Sequence, residues 1–134
     1  MYKWFIDYQK LDEEIAYLSL QIDLSIAELK RWSEGDLSRQ STFVTSLEKS
    51  IFLQKRIEEL KIELEHKQKE KEEIMKLIDR FKGVEHQILR LKHIDGKTLE
   101  EVADELNYSY SYIKHKHAEV MRRIDFHLKS TTLK

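Results

Sequence analysis

"NYSYSYIKHKHAEVMRR", residues 107–123, admits three incompatible readings. Tyr108, Tyr110 and Tyr112 alternate with serine as a β-strand would. Lys114-His115-Lys116-His117 looks like a histidine pair waiting for a metal. The same residues could form the exposed face of a helix that reads DNA. The period decides: "IKHKHAEVMRRI" drops the alternation and places Ile113, Val120, Ile124 and Leu128 on one side of a helix. The three tyrosines then serve separate local roles, with Tyr108 in a turn, where an apolar residue normally plugs the core, and Tyr110 and Tyr112 in a first helical turn. His115 and His117 stand two apart, about 200° around a helix, so they cannot chelate one ion together. One solvated and one half-buried histidine is the expectation. His66, His86, His93 and His127 form no better constellation.

The composition agrees with a helix. Among 134 residues there is no proline and only three glycines, while 37% are charged. So few turn-formers exclude a β-sandwich or a doubly wound sheet, and the class expected is all-α. With no cysteine there is no disulfide, thiolate nucleophile or cysteine zinc site. No stretch approaches the ~18 apolar residues of a membrane span. The aromatic start, "MYKWFIDY", is broken by charge and does not read as a secretory signal. A cytoplasmic protein without cofactor or metal is the expectation.

Net charge is −1, yet it is unevenly distributed. Within Ser109–Lys134 six Lys/Arg face two Asp/Glu, with three histidines besides. Positive charge concentrated in the last helix suits nucleic acid.

Upstream, two heptad patterns appear. Trp4, Tyr8, Leu11, Ile15, Leu18, Ile22, Ser25, Leu29 and Trp32 advance by fours and threes, which keeps them on one helical stripe. The second pattern is Leu53, Ile57, Leu60, Leu64, Lys67, Lys71, Ile74, Ile78 and Phe81. Between them "SEGDLSRQS", residues 33–41, reads as a loop. Patterns this long indicate coiled coil, and the simplest architecture is an antiparallel hairpin with its tip at 33–41. Lys67 and Lys71 would fall opposite Tyr8 and Trp4, their stems along the rings. The same seam could instead pair two chains, and a homodimer through the N-terminal helices is expected because one buried stripe is marginal alone.

From Gly83 the period shortens. Val84, Ile88, Leu91 and Ile94 mark a short amphipathic helix, and "DGKT", 95–98, a tight turn. Thr98 with Glu101 forms a capping box. Leu99, Val102, Ala103 and Leu106 give the next helix one buried face. Asn107 suits a left-handed helix end, and Ser109 can cap a last helix running over 109–128. Helix, three-residue turn and longer helix make a helix-turn-helix. The side opposite Ile113 carries Ser111, His115, Ala118 and Arg122, flanked by Tyr110, Tyr112 and Lys114. In this motif the first turns of the second helix enter the major groove, where Ser, His and Lys reach base edges while Tyr and Arg hold phosphates. The plainer alternative is an amphipathic helix whose charges only solvate it. The site expected is Tyr110, Ser111, Tyr112, Lys114, His115 and Arg122.

Residues 81–124, "FKGVEHQILRLKHIDGKTLEEVADELNYSYSYIKHKHAEVMRRI", resemble region 4 of bacterial sigma factors. They resemble more closely the C-terminal half of small phage and prophage late-gene regulators of the RinA/ArpU-like group. The shared pattern is an Ile-Leu helix, a Gly turn, "TLEEVA", then "YSYSYIK" and a basic helix. The resemblance implies promoter binding, gene activation and contact with RNA polymerase. By position it assigns base or phosphate contacts to Tyr110, Ser111, Lys114 and His115. Lys116 departs from the pattern, where an apolar residue is usual. Tyr110 and Ser111 replace a charged pair typical of sigma factors.

The division expected is a helical arm over 1–82 and a DNA-binding domain over 83–134. Two other classes compete with a DNA-binding regulator: a small terminase-like packaging component, which would form a large ring, and a coiled-coil adaptor that binds only protein. An enzyme is not expected. The acidic clusters "LDEE", "EKEE" and "LEE" fall on solvated or capped helices, with no phosphate loop or nucleophile–base pair beside them.

Overall fold

In the computed structural model the backbone is described for residues 8–132 and the side chains for residues 8–126. Trp4 and Leu128, assigned above to helix faces, lie outside the residues so described. The chain is all-helical. Its elements are α1 (Tyr8–Glu34), α2 (Asp36–Arg39), α3 (Phe43–Asp79), α4 (Gly83–Leu89) running on into a π-helical turn (Arg90–Ile94), α5 (Leu99–Leu106) and α6 (Tyr110–Thr132). Among the described residues no helix is long and apolar enough to cross a membrane.

Two compact units divide the chain, one spanning Asp12–Glu70 and the other combining Met1–Leu11 with Lys71–Lys134. In the first, α1 and α3 lie antiparallel. Leu18 and Ile22 pack on Leu60 and Leu64, and Lys67 Nζ pairs with Glu14 at 2.9 Å. The heptad seams are the reason. Leu18, Ile22, Leu53, Ile57 and Leu60 are all buried, as residues repeating every three and four must be when two helices share a stripe.

The expected loop at 33–41 is instead partly helical, since Asp36–Arg39 forms a turn of its own. An exposed bidentate pair from Arg31 to Asp36, 2.9 and 2.7 Å, spans the bend. That guanidinium holds the Asp36 carboxyl down at about 2. At Gly35 the chain passes so close to α1 that a Cβ would stand 2.8 Å from the Arg31 Cα. Any larger residue would have to push that backbone apart.

In the second unit Lys71 Nζ sits 5.7 Å from the centre of the Tyr8 ring. The expected pairing of Lys67 with Tyr8 is therefore displaced by about one turn. Lys67 is held by Glu14 instead, an ion pair that outweighs an aromatic contact for a half-exposed ammonium. Gln9 donates from Nε2 to the Ile94 carbonyl oxygen.

The core here gathers Ile88, Val102, Ala103 and Ile113, with Val84, Leu91, Leu99 and Leu106 packed on it. The short helix expected after Gly83 does not keep one period. At Arg90–Ile94 it widens, with Asp95 N–H donating to the Arg90 carbonyl at 3.0 Å across five residues. Leu89, just before the widened turn, and His93 within it are buried along with Ile88. Gly96 ends the turn with φ +73, a left-handed conformation that glycine adopts at little cost.

Candidate nucleic-acid interface

Capping sets the start of α5. Glu101 N–H donates to Thr98 Oγ1 at 3.1 Å, while Thr98 N–H donates to Glu101 Oε1 at 2.9 Å. Two otherwise orphaned amides are thereby satisfied. The helix stops at Asn107, φ 63 and ψ 39, where asparagine tolerates the left-handed region better than most side chains. Tyr108 N–H then donates back to the Ala103 carbonyl at 3.1 Å, which turns the chain sharply.

Ser109 opens α6 by accepting the Tyr112 N–H at its Oγ, 3.1 Å. Ile113, Val120, Met121 and Ile124 are buried along one side. With Ile113 wholly buried, the helical period alone dictates what faces out. Tyr110, Ser111, Tyr112, Lys114, His115 and Arg122, the six residues singled out from the sequence, are all exposed. Ser111, His115 and Arg122 stand about 180° from Ile113 around the helix. Ala118, assigned to the same face, is half-buried.

Tyr108 corrects the sequence reading. It does not plug the core but is 46% exposed, and its ring stacks on Tyr112 with centroids 4.7 Å apart. The reason is the turn at Asn107, which carries the next side chain away from the Ile88–Val102 core. The signal was present, since positions 108 and 112 are four apart. Together with Tyr110, over which Lys114 Nζ lies at 5.9 Å, these rings form an exposed aromatic row crossing the start of α6. Phenol hydroxyls, a serine hydroxyl, an imidazole and an ammonium thus project from two helical turns. His115 Nε2 lies 3.9 Å from Glu119 one turn on; the histidine is largely exposed and the glutamate half-buried.

Two basic residues near this face have other work. Arg123 donates to Glu85 Oε2 at 2.7 Å and lies 5.1 Å from the centre of the Phe81 ring, tying α6 to the start of α4. Lys116, the departure from the family pattern, is half-buried.

The histidines also differ from expectation in part. His115 is exposed and His117 half-buried, as anticipated. His93, which suggested no constellation from its position in the sequence, meets His117 with Nε2 atoms 3.0 Å apart. The two lie 24 positions apart in the chain. His93 is buried within the π-helical turn, and its meeting with a residue of another helix is nothing that the period of either helix signals.

No protein-family model, curated protein or solved structure matches the chain.

Proposed function

We propose that the protein is a sequence-specific double-stranded DNA-binding transcriptional regulator that reads the major groove with the first turns of α6. One observation carries the reading. A capped helix, a three-residue turn through a left-handed asparagine and a second helix anchored by Ile113 leave a contiguous set of hydrogen-bonding side chains exposed. That is the arrangement by which a helix-turn-helix presents its second helix to base edges. Ser111, Lys114 and His115 lie where base edges would be met. Tyr110, Tyr112 and Arg122 suit phosphate oxygens, and Tyr108 joins them. The likeness of residues 81–124 to RinA/ArpU-like regulators supports activation of phage or prophage genes, with RNA polymerase as a further partner.

The test is capture of fragmented source-genome DNA by the purified protein at about physiological salt, followed by sequencing. Salt at that level screens diffuse electrostatic binding more than a matched site. Sharp enrichment upstream of an operon is the expected result. No enrichment, with polymerase present or absent, overturns the reading.

A further inference from the structure

Two of the three tyrosines around the start of α6 form one block. Tyr108 in the turn and Tyr112 in the first helical turn stack with ring centres 4.7 Å apart and planes inclined by 24°. Both stay open to solvent, at 46% and 36%. Each ring restricts the rotation of the other, so the block has little rotamer entropy left to lose when something touches it. Rigid aromatic surface with hydroxyls only at its rim is the kind that anchors interfaces. Tyr110 differs, because Lys114 Nζ lies 5.9 Å from its ring centre and gives that ring a cation instead.

The block borders the hydrogen-bonding centre of the helix face. At about 100° per residue, Tyr112 stands about 100° around α6 from the buried Ile113. His115 lies roughly 60° beyond Tyr112, towards the outermost line of the helix. Ser111 and His115 can answer donors and acceptors on base edges. The ring carbons of Tyr108 and Tyr112 can answer neither.

Only one group on the edges of the major groove suits such carbons. Guanine and adenine present N7 with an oxygen or an amino group there, and cytosine presents its amino group. Thymine adds a C5 methyl to its O4 acceptor. A phenol ring pressed on a purine N7 would strip it of water and return no hydrogen bond. Pressed on the methyl, the same ring takes apolar surface on both sides out of water. The hydroxyls, at the far end of each ring, can still reach phosphate oxygens.

We infer that the Tyr108–Tyr112 stack is a specificity-determining contact that selects thymine, with its ring carbons seated on the C5 methyl group. The inference rests on the DNA-binding reading of α6 and names what that face prefers.

The test compares the duplex captured from source-genome DNA with the same duplex carrying deoxyuridine in place of every thymidine. Uracil keeps the donors and acceptors of thymine and lacks only the methyl. The full chain should bind the deoxyuridine duplex about fourfold more weakly for each methyl that the stack covers. With Tyr108→Ala plus Tyr112→Ala the two duplexes should bind alike. With Tyr108→Phe plus Tyr112→Phe, which keeps the rings, the preference should remain. Both positions are exposed, and circular dichroism checks that helicity is kept. Should the alanine protein lose helicity, the parent and the phenylalanine protein decide between them.

Equal affinity of the parent for the two duplexes overturns the inference and leaves the DNA-binding reading standing. A preference that survives the alanine pair also overturns it, since the methyl would then be read by another residue or through DNA shape. So does a preference that vanishes with the phenylalanine pair. If no duplex is captured at all, the reading and the inference fall together.

Discussion

The Nε2 atoms of His93 and His117 lie 3.0 Å apart, with ring centres separated by 5.3 Å and planes inclined by 23°. That separation equals the nitrogen–nitrogen distance plus one ring radius at each end. The two nitrogens therefore point at each other along the line joining the rings. This is the geometry of an N–H···N hydrogen bond in which one neutral ring donates and the other accepts. A shared metal would need the two lone pairs to converge on a third point, and here they do not.

A pH dependence follows from that pair. Burial, then the neighbouring His117 and Lys92, push His93 down to about 3, and burial followed by Lys92 also lowers His117. Both folded-state values lie below the ordinary histidine value of about 6.5, so the unfolded chain takes up protons first. Stability should be full above pH 6.5 and fall as pH drops towards 3. The slope is about 1.4 kcal/mol per pH unit for each histidine kept neutral. Urea midpoints at pH 7.5 and pH 5 check this. In the His93→Leu, His117→Leu protein the difference between them should shrink.

Lys114→Ala with His115→Ala should weaken binding to the selected DNA site by roughly ten- to a hundredfold, the loss expected for contacts worth ~1–3 kcal/mol. Both side chains are exposed, so helicity should not change. Electrophoretic mobility shift against the captured site, with circular dichroism alongside, measures both quantities. Unaltered affinity would mean that a different face of α6 meets the DNA.

Arg122→Ala should behave differently. A phosphate contact lowers affinity for all sequences alike and reduces the slope of log K against log salt by about 1. Titrating matched and scrambled duplexes at several salt concentrations separates that outcome from a base contact, which would relax specificity at one position.

Thr98→Ala should cost about 1 kcal/mol, because it removes the hydroxyl that accepts the Glu101 N–H. Glu101→Ala should cost less, since its partner amide at Thr98 lies exposed and water can replace the carboxylate. Thermal melts of the two variants give the order.

Asn107→Val should destabilise by ~1–2 kcal/mol or more, because a β-branched residue is poorly accommodated at φ 63. Asn107→Gly should be close to neutral. If the two variants melt together, the turn is not held in that conformation in solution.

Much of this molecule was legible in the sequence because the signals involved are local. Heptad spacing identified the seam residues from Tyr8 to Trp32 and from Leu53 to Phe81, since steps of three and four can bury only one stripe. The Thr98–Glu101 pair and Asn107 marked both ends of α5 through hydrogen bonds and a backbone conformation that belong to those residue types. Ile113, Val120 and Ile124 set the face of α6, and all six candidate site residues accordingly lie on its exposed sides.

Other features depended on neighbours distant in sequence. Lys71 lies over Tyr8, and Lys67 pairs with Glu14, because within each unit the partner of a seam residue is set by packing between helices and not by its heptad position alone. Tyr108 turned outward because the reversal at Asn107 carries its side chain away from the core and onto the Tyr112 ring. His93, within the widened turn at Arg90–Ile94, meets His117 24 positions on because their two helices pack together. Periodicity and capping specify which elements form and which face each one buries, because they act within a few residues. Which side chains meet across elements is decided by the packing of the folded chain.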